Sequence, residues 1–200
     1  MPDRNRNLQR FIDAAEAGIR AKAAQFPDAM SMADRIFSAL KDTGGVHLDC
    51  TPARLAACSH LEIAYGQARN GPDPVATLTD AFAAIEPGLA WDRRQGSAQI
   101  SEDFYNGHAN AIIAGEGGLE ARQDVRIGVS LLAPEIQYPR HHHPPEELYV
   151  VLSPGKWMQN DEPLALKRSG DLVHNPPNVW HSMQAAEAPL LAIWWLWVGD

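Results

Sequence analysis

The chain has 200 residues, 45% hydrophobic and 21% charged, which excludes a disordered or low-complexity protein and fits one domain, or one domain with a substantial extension. Its 25 acidic against 17 basic side chains leave a formal charge of −8, without the basic stripe that phosphate-backbone binding requires, so nucleic acid is excluded as a partner. Two cysteines, Cys50 and Cys58, do not make a disulfide framework. The polar start MPDRNRNLQ has no apolar run after it. The longest apolar run, residues 189–198, is about half the roughly 20 residues of a membrane-spanning helix, so the expectation is a soluble, cytoplasmic chain with no membrane partner.

The first 90 residues carry helical periodicity. Leu8, Phe11, Ile12, Ala15 and Ile19 form one apolar stripe at a 3.6-residue period. A second helix is predicted over 29–40, with Met32, Ile36, Phe37 and Leu40 on its inner face. A third is predicted over 52–68, capped by Thr51 with Pro52 in its first turn. Asp73-Pro74 opens a fourth, with Val75, Leu78, Phe82 and Ile85 on one side. Gly44-Gly45 and Asn70-Gly71-Pro72 punctuate the series. After Glu86-Pro87-Gly88 the pattern changes to short Val-, Ile-, Leu-, Tyr- and Trp-rich segments at 110–114, 125–132, 147–152, 156–159, 172–174 and 190–198, divided by Gly or Pro. Such segments predict a mainly β fold, an antiparallel sandwich or barrel. The expected organisation is a helical extension over 1–88, packed on a β-barrel over 89–200 and partly covering its mouth.

The chemistry concentrates in residues 138–155, YPRHHHPPEELYVVLSPG. His141 and His143 share one face of an extended strand, and Glu147 and Tyr149 follow at even spacing, across the break at Pro144-Pro145. Two imidazoles, a carboxylate and a phenol therefore converge, a mixed N/O set suited to Fe(II), Mn(II), Zn(II), Ni(II) or Co(II). Downstream, Gly170, Pro176, Asn178 and His181 follow a G-x5-P-x-N-x2-H spacing that supplies a third imidazole. His142 has the opposite parity, so it is expected to face solvent or to support the ligands from behind and not to bind the ion itself. His47, His60 and His174 have no assignable partner, and His108 opens a strand that reaches toward the barrel mouth.

The two segments resemble the two cupin motifs, G-x5-H-x-H-x3-E-x6-G and G-x5-P-x-G-x2-H-x3-N. Pro134 or Glu135 stands at the first opening Gly, Gly155 arrives one residue late, Asn178 replaces a Gly and Ala185 the closing Asn. Asn, like Gly, visits positive φ in turns. All four ligand positions are kept. The run HHHPPEELY with Tyr138 before it, together with the helical front and the chain length, resembles the DddQ type of cupin dimethylsulfoniopropionate (DMSP) lyases across essentially the whole chain.

The resemblance implies a jelly-roll fold carrying one divalent transition metal ion (Fe2+, Zn2+ or Mn2+) on His141, His143, Glu147 and His181. It also implies β-elimination of DMSP, a small sulfonium carboxylate, to dimethyl sulfide and acrylate. Tyr149 would take the α-proton while the metal binds the substrate carboxylate. Tyr138 and Trp195 are the candidates for contact with the cationic sulfonium, through their rings. A cupin dioxygenase or sugar isomerase with the same metal set, and a non-catalytic small-molecule-binding cupin, are the alternative readings. A homodimer is left open.

Overall fold

The computed structural model describes residues 4–43 and 51–199; Gly44-Gly45, His47 and Cys50 lie outside the described residues. The stripe that begins at Leu8 is the buried face of α1 (Arg6–Ala23), whose N-terminus is capped by the Asn5 side chain accepting from the Asn7 and Leu8 amides. α2 (Pro27–Leu40) opens on its proline and buries Met32, Ile36, Phe37 and Leu40. α3 (Leu61–Arg69) and α4 (Asp73–Ile85) follow, and Asp73-Pro74 opens α4 as expected.

The third helix starts at Leu61 rather than Pro52. The reason lies in the backbone of Ala53. Its N–H donates to the Leu89 carbonyl at 3.2 Å and its carbonyl accepts from Trp91 at 2.9 Å, so this stretch is extended. A 3-10 turn over Ala56–His60 then leads into α3.

Beyond residue 90 come β1 (Trp91–Asp92), α5 (Glu102–Gly107), β2 (His108–Ala114), β3 (Val125–Leu132), β4 (Gln137–His141), β5 (Glu146–Val151), β6 (Gly155–Gln159), β7 (Ala165–Lys167), β8 (Leu172–Asn175), β9 (His181–Gln184) and β10 (Leu190–Trp197). The predicted strands are β2, β3, β5, β6, β8 and β10. The short, polar or proline-bearing β1, β4, β7 and β9 carry too little apolar alternation to be read from sequence. The strands form two sheets, ordered β1-β2-β3-β10-β5-β8 and β4-β9-β6-β7, with antiparallel pairing throughout both.

The two antiparallel sheets face each other as a sandwich and do not close into the expected barrel. Proline marks five of the six crossings between the sheets: Pro134, Pro144-Pro145, Pro154, Pro176-Pro177 and Pro189, each lacking the N–H that would continue a ladder around the corner; the crossing from β7 to β8 turns instead at Gly170, with φ 88.

The six-stranded sheet is covered on both faces, and alternation divides its side chains. Leu148, Val150, Leu191, Ile193 and Trp195 turn outward and share one core with the helices. Tyr149, Val151, Leu190 and Ala192 turn inward and pack with Tyr138, Trp157 and Met183 of the facing sheet. Trp195 is wholly buried in the helix-facing core, stacked on Phe11 at 5.9 Å and tilted against Phe37 at 5.3 Å. The helices therefore cover the back of the sheet. None of their described residues lines the site cavity, whose wall draws instead on residues 90 and 92–95.

A buried ionic strap ties the helices to the β2–β3 connection. Arg4 and Arg122 both pair with Glu120, at 2.5 Å and 2.9 Å, and they also donate to the Leu40 and Ala39 carbonyls at the end of α2. Removing the carboxylate leaves two buried guanidinium groups without it. Glu120→Ala is expected to lower unfolding free energy by about 3–5 kcal/mol, the usual cost of breaking a buried pair. Urea denaturation checks this, and a loss below about 1 kcal/mol would show that water takes over the pairing.

Candidate metal centre and its cavity

His141 ends β4 and His181 begins β9, and the two are direct cross-strand partners with ring centres 4.1 Å apart. His143 follows in the turn before Pro144. Its carbonyl accepts from the Asn178 amide at 2.9 Å, and Asn178 sits at φ 62. The residue standing in for a motif glycine thus adopts the left-handed conformation expected of it, and in doing so tethers the ligand-bearing turn. Glu135, at the opening glycine position of the first motif, also has positive φ, 63.

All three imidazoles are held the same way. Each Nδ1 lies against a backbone carbonyl two residues away: Pro139 for His141 at 2.9 Å, Pro145 for His143 at 2.9 Å, and Val179 for His181 at 3.0 Å. A carbonyl only accepts, so each Nδ1 carries the proton and each Nε2 presents a lone pair. The ligand atoms of His141, His143 and His181 all lie within 4.8 Å of one another. Burial, with His181 adding to it, pushes His141 down to about 4, and burial also lowers His181. Both rings are therefore neutral, as ligation requires. The His181 Nε2 is buried with no hydrogen-bond partner, so a soft lone pair is kept from water and aimed at the cluster. These residues fit a divalent cation.

Glu147 reaches the cluster from β5 in the facing sheet. Its Oε2 lies 3.4 Å from His143 Nε2 and 3.3 Å from His181 Nε2, and its hydrogen bond to His143, with its charge behind, holds that imidazole above its usual range against burial. Asn175 donates to the same oxygen at 2.8 Å, and the Asn175 amide is fixed in turn by Gln159 at 2.7 Å. Four of the residues expected at the site, from two motifs and two sheets, thus meet in one place.

His141, His143 and Glu147 line one side of a cavity of about 410 Å³ that Tyr149, Tyr138, Trp194 and Arg94 also line. Tyr149, 4% exposed, follows Glu147 on the inner face of β5; burial first, then the Glu147 charge, push its phenol well above the ordinary value. Tyr138 is raised by burial as well, and Arg94 opposes the rise. The Arg94 guanidinium lies 5.5 Å from the centre of the Tyr138 ring, so the ring already has one cationic neighbour. Its hydroxyl closes a hydrogen-bonded row along the wall. Trp194 Nε1 donates to Ser130 Oγ at 3.1 Å, Ser130 donates to Asn110 Oδ1 at 2.7 Å, and Asn110 Nδ2 donates to the Tyr138 oxygen at 3.4 Å.

Trp195 is not brought to the site, because it has the wrong parity on β10. Its neighbour Trp194 takes the cavity side, lying over Gly128, where a Cβ would come within 2.1 Å of the indole. That glycine, in the interior of β3, was the available sequence signal for a close approach. Asn110 and Ser130, directly paired polar residues in two apolar strands, were the signal for the hydrogen-bonded row. His142 leans on Trp180 at 4.2 Å, away from the cluster, and His174 bonds Glu146 at 2.7 Å on the outer face. His108 is buried at 1% and does not reach the cavity. Arg94 carried no motif.

A protein-family model described as dimethylsulfoniopropionate lyase matches residues 29–192. The chain belongs to the DMSP lyase family, whose members are carbon–sulfur lyases. It is 27% identical over 155 residues to the dimethylsulfoniopropionate lyase DddQ of Ruegeria pomeroyi, covering 75% of this chain and 73% of that one. The solved structure of DddQ from Ruegeria pomeroyi shares the fold at a TM-score of 0.67 and 24% identity, covering 92% of each chain. A structure described with the DMSP lyases RdDddP and RnDddQII shares it at 0.74 and 23% identity, covering 96% of this chain and 92% of that one. Among the described residues of this DMSP lyase family member, no helix is long and apolar enough to cross a membrane.

The imidazole cluster generates a direct expectation. Wild-type protein should carry one divalent ion per chain, and His181→Ala should lose most of it while His142→Ala keeps it. Metal analysis of the purified variants checks this, and full occupancy in His181→Ala would remove that residue from the ligand set.

Proposed function

We propose that this chain cleaves DMSP to dimethyl sulfide, acrylate and a proton, with Tyr149 as the base and with His141, His143, Glu147 and His181 holding a divalent transition metal ion. The reading rests on one juxtaposition: a buried phenol two residues from Glu147, in the same cavity as His141 and His143 of the three-imidazole cluster. An ion bound there supplies Lewis-acid stabilisation for the negative charge that develops on the substrate carboxylate, and favours a nearby phenolate over a phenol.

The chain's own groups carry the remaining steps. The Tyr149 oxygen takes the proton from the carbon next to the carboxylate. The electron pair of that C–H bond becomes the second bond of acrylate. The pair of the adjacent C–S bond leaves on sulfur, so the sulfonium departs as neutral dimethyl sulfide. Tyr149 then passes its proton to water. Burial and Glu147 both oppose ionisation of Tyr149, so the base depends on positive charge in the cavity. Trp194 replaces Trp195 as the ring for the sulfonium, since its indole lines the cavity and the other does not. Tyr138 contributes its hydroxyl rather than its ring.

Headspace detection of dimethyl sulfide from metal-loaded protein and DMSP is the primary test. Tyr149→Phe keeps the ring and its packing but deletes the base, so turnover should fall by roughly 10²–10⁴-fold with metal content and unfolding midpoint unchanged. Near-normal cleavage by Tyr149→Phe, with loss in Tyr138→Phe alone, would transfer the role to Tyr138.

The two tryptophans separate in steady-state kinetics. Trp194→Leu should raise the KM for DMSP about 3- to 30-fold, the range of a cation–π contact in a partly desolvated site. Trp195→Phe, which preserves the stack on Phe11, should leave KM within about twofold, and the reverse pattern would restore Trp195 to the substrate site.

A further inference from the structure

We propose that Arg94 grips the carboxylate of the substrate and that His108 is the residue that positions it; the identity of that substrate rests on the lyase reading above.

Arg93 and Arg94 follow β1 in the stretch that walls the cavity, but only one of them is free to bind. Arg93 Nε donates to the Tyr105 carbonyl at 2.7 Å and its guanidinium lies 4.0 Å from the Tyr105 ring centre, so it is tied to α5. The Arg94 guanidinium lies over Tyr138, and among the described residues no carboxylate is within ion-pair distance of it. The two carboxylates that line the cavity are otherwise engaged. Glu147 accepts from Asn175 and faces the imidazoles, while Asp92 accepts from the Arg93 amide at 2.7 Å. A half-buried guanidinium without a counter-anion, in a cavity of this size, selects a carboxylate, which its planar fork binds through two parallel hydrogen bonds.

Tyr138 reinforces the choice. Its oxygen already accepts from Asn110, so its own proton is available to the same anion. The ring of Tyr138 lies 5.5 Å from the Arg94 guanidinium and 5.0 Å from the His141 ring. A carboxylate at this end is therefore close to both Arg94 and the imidazole cluster. Trp194 stands at the other end of the hydrogen-bonded row, and a zwitterion of opposite terminal charges is laid along it.

His108 explains how Arg94 is held. The loop turns at Gly96 with φ 77 and has no regular pairing after Asp92. The His108 Nδ1 bonds the Phe104 carbonyl, which fixes the proton there and leaves Nε2 as an acceptor; Nε2 takes the Arg94 amide at 2.9 Å. Phe104 stacks on the imidazole at 3.8 Å and 5°. A buried, neutral ring thus bridges the end of α5 to the backbone of the arginine, and only a side chain with a donor and an acceptor on opposite edges spans both.

Calorimetric titration of acrylate, the product carboxylate, into metal-loaded protein tests both parts. Arg94→Gln should weaken acrylate about 10- to 100-fold, the range of a charged hydrogen-bonded contact, and Arg94→Lys should weaken it less. The KM for DMSP should rise in parallel with the acrylate constant, and kcat should change less. His108→Leu should weaken acrylate in the wild-type background, His108→Gln should recover part of the loss, and His108→Leu should add less than about twofold to Arg94→Gln. Acrylate affinity of Arg94→Gln within about twofold of wild type, or no acrylate binding by wild type, overturns the anchor. A full additional loss from His108→Leu on top of Arg94→Gln overturns the positioning role. If acrylate binding depends on Arg94 but no dimethyl sulfide forms, the anchor stands and the lyase reading fails; if dimethyl sulfide forms with KM unchanged in Arg94→Gln, the reverse holds.

Discussion

The structure depends on one sheet being covered on both faces. Because side chains alternate along a strand, every residue of β5 and β10 is committed either to the helices or to the space between the sheets. Leu148, Val150, Ile193 and Trp195 belong to the first, and Glu147, Tyr149 and Trp194 to the second. A slip of one residue would exchange a wholly apolar set for a carboxylate, a phenol and an indole. The large apolar faces of α1, α2 and α4 make that exchange prohibitive, so the helical front holds the register of the site without lining it.

Within that register the polar groups are secured one by one. The three imidazoles are oriented by backbone carbonyls two residues away, a local arrangement that extended or turning chain provides without tertiary help. Glu147 needs more. Its carboxylate is buried, and it is satisfied by Asn175 from the neighbouring strand β8, itself held by Gln159 across the sandwich. The proline corners serve the same end. They release the chain from one sheet at the points where ligands must cross to the other, and the His143 turn at Pro144-Pro145 is one of them.

The cavity has an electrostatic gradient that matches a zwitterion. Imidazoles and Arg94 gather about the Tyr138 end, and an indole lies over Gly128 at the far end of the Trp194–Ser130–Asn110–Tyr138 row. Burial and the Glu147 charge both disfavour the Tyr149 anion, so in the proposed function its ionisation would depend on a cation held by the cluster.

What the sequence alone determined is whatever rests on local spacing. The stripes of α1 and α2, the proline start of α4, the apolar strands, and the His141, His143, Glu147 and His181 positions all follow from periods of 3.6 and 2 and from short motifs. Asn178 and Glu135, standing in for glycines, also kept the positive φ that the motif demands. Facing and distance were decided only by the tertiary structure. Alternation separates Trp194 from Trp195 but does not say which side the helices cover, and that depends on Phe11 and Phe37 packing on one face of β10. The start of α3 was settled by Ala53 pairing with Ala90, 37 residues away, and the effect of each proline corner depends on where the chain changes sheets. Arg94 had no motif, because its role arises from a loop backbone pinned by His108 and from a cavity that exists only when two sheets and the loop come together.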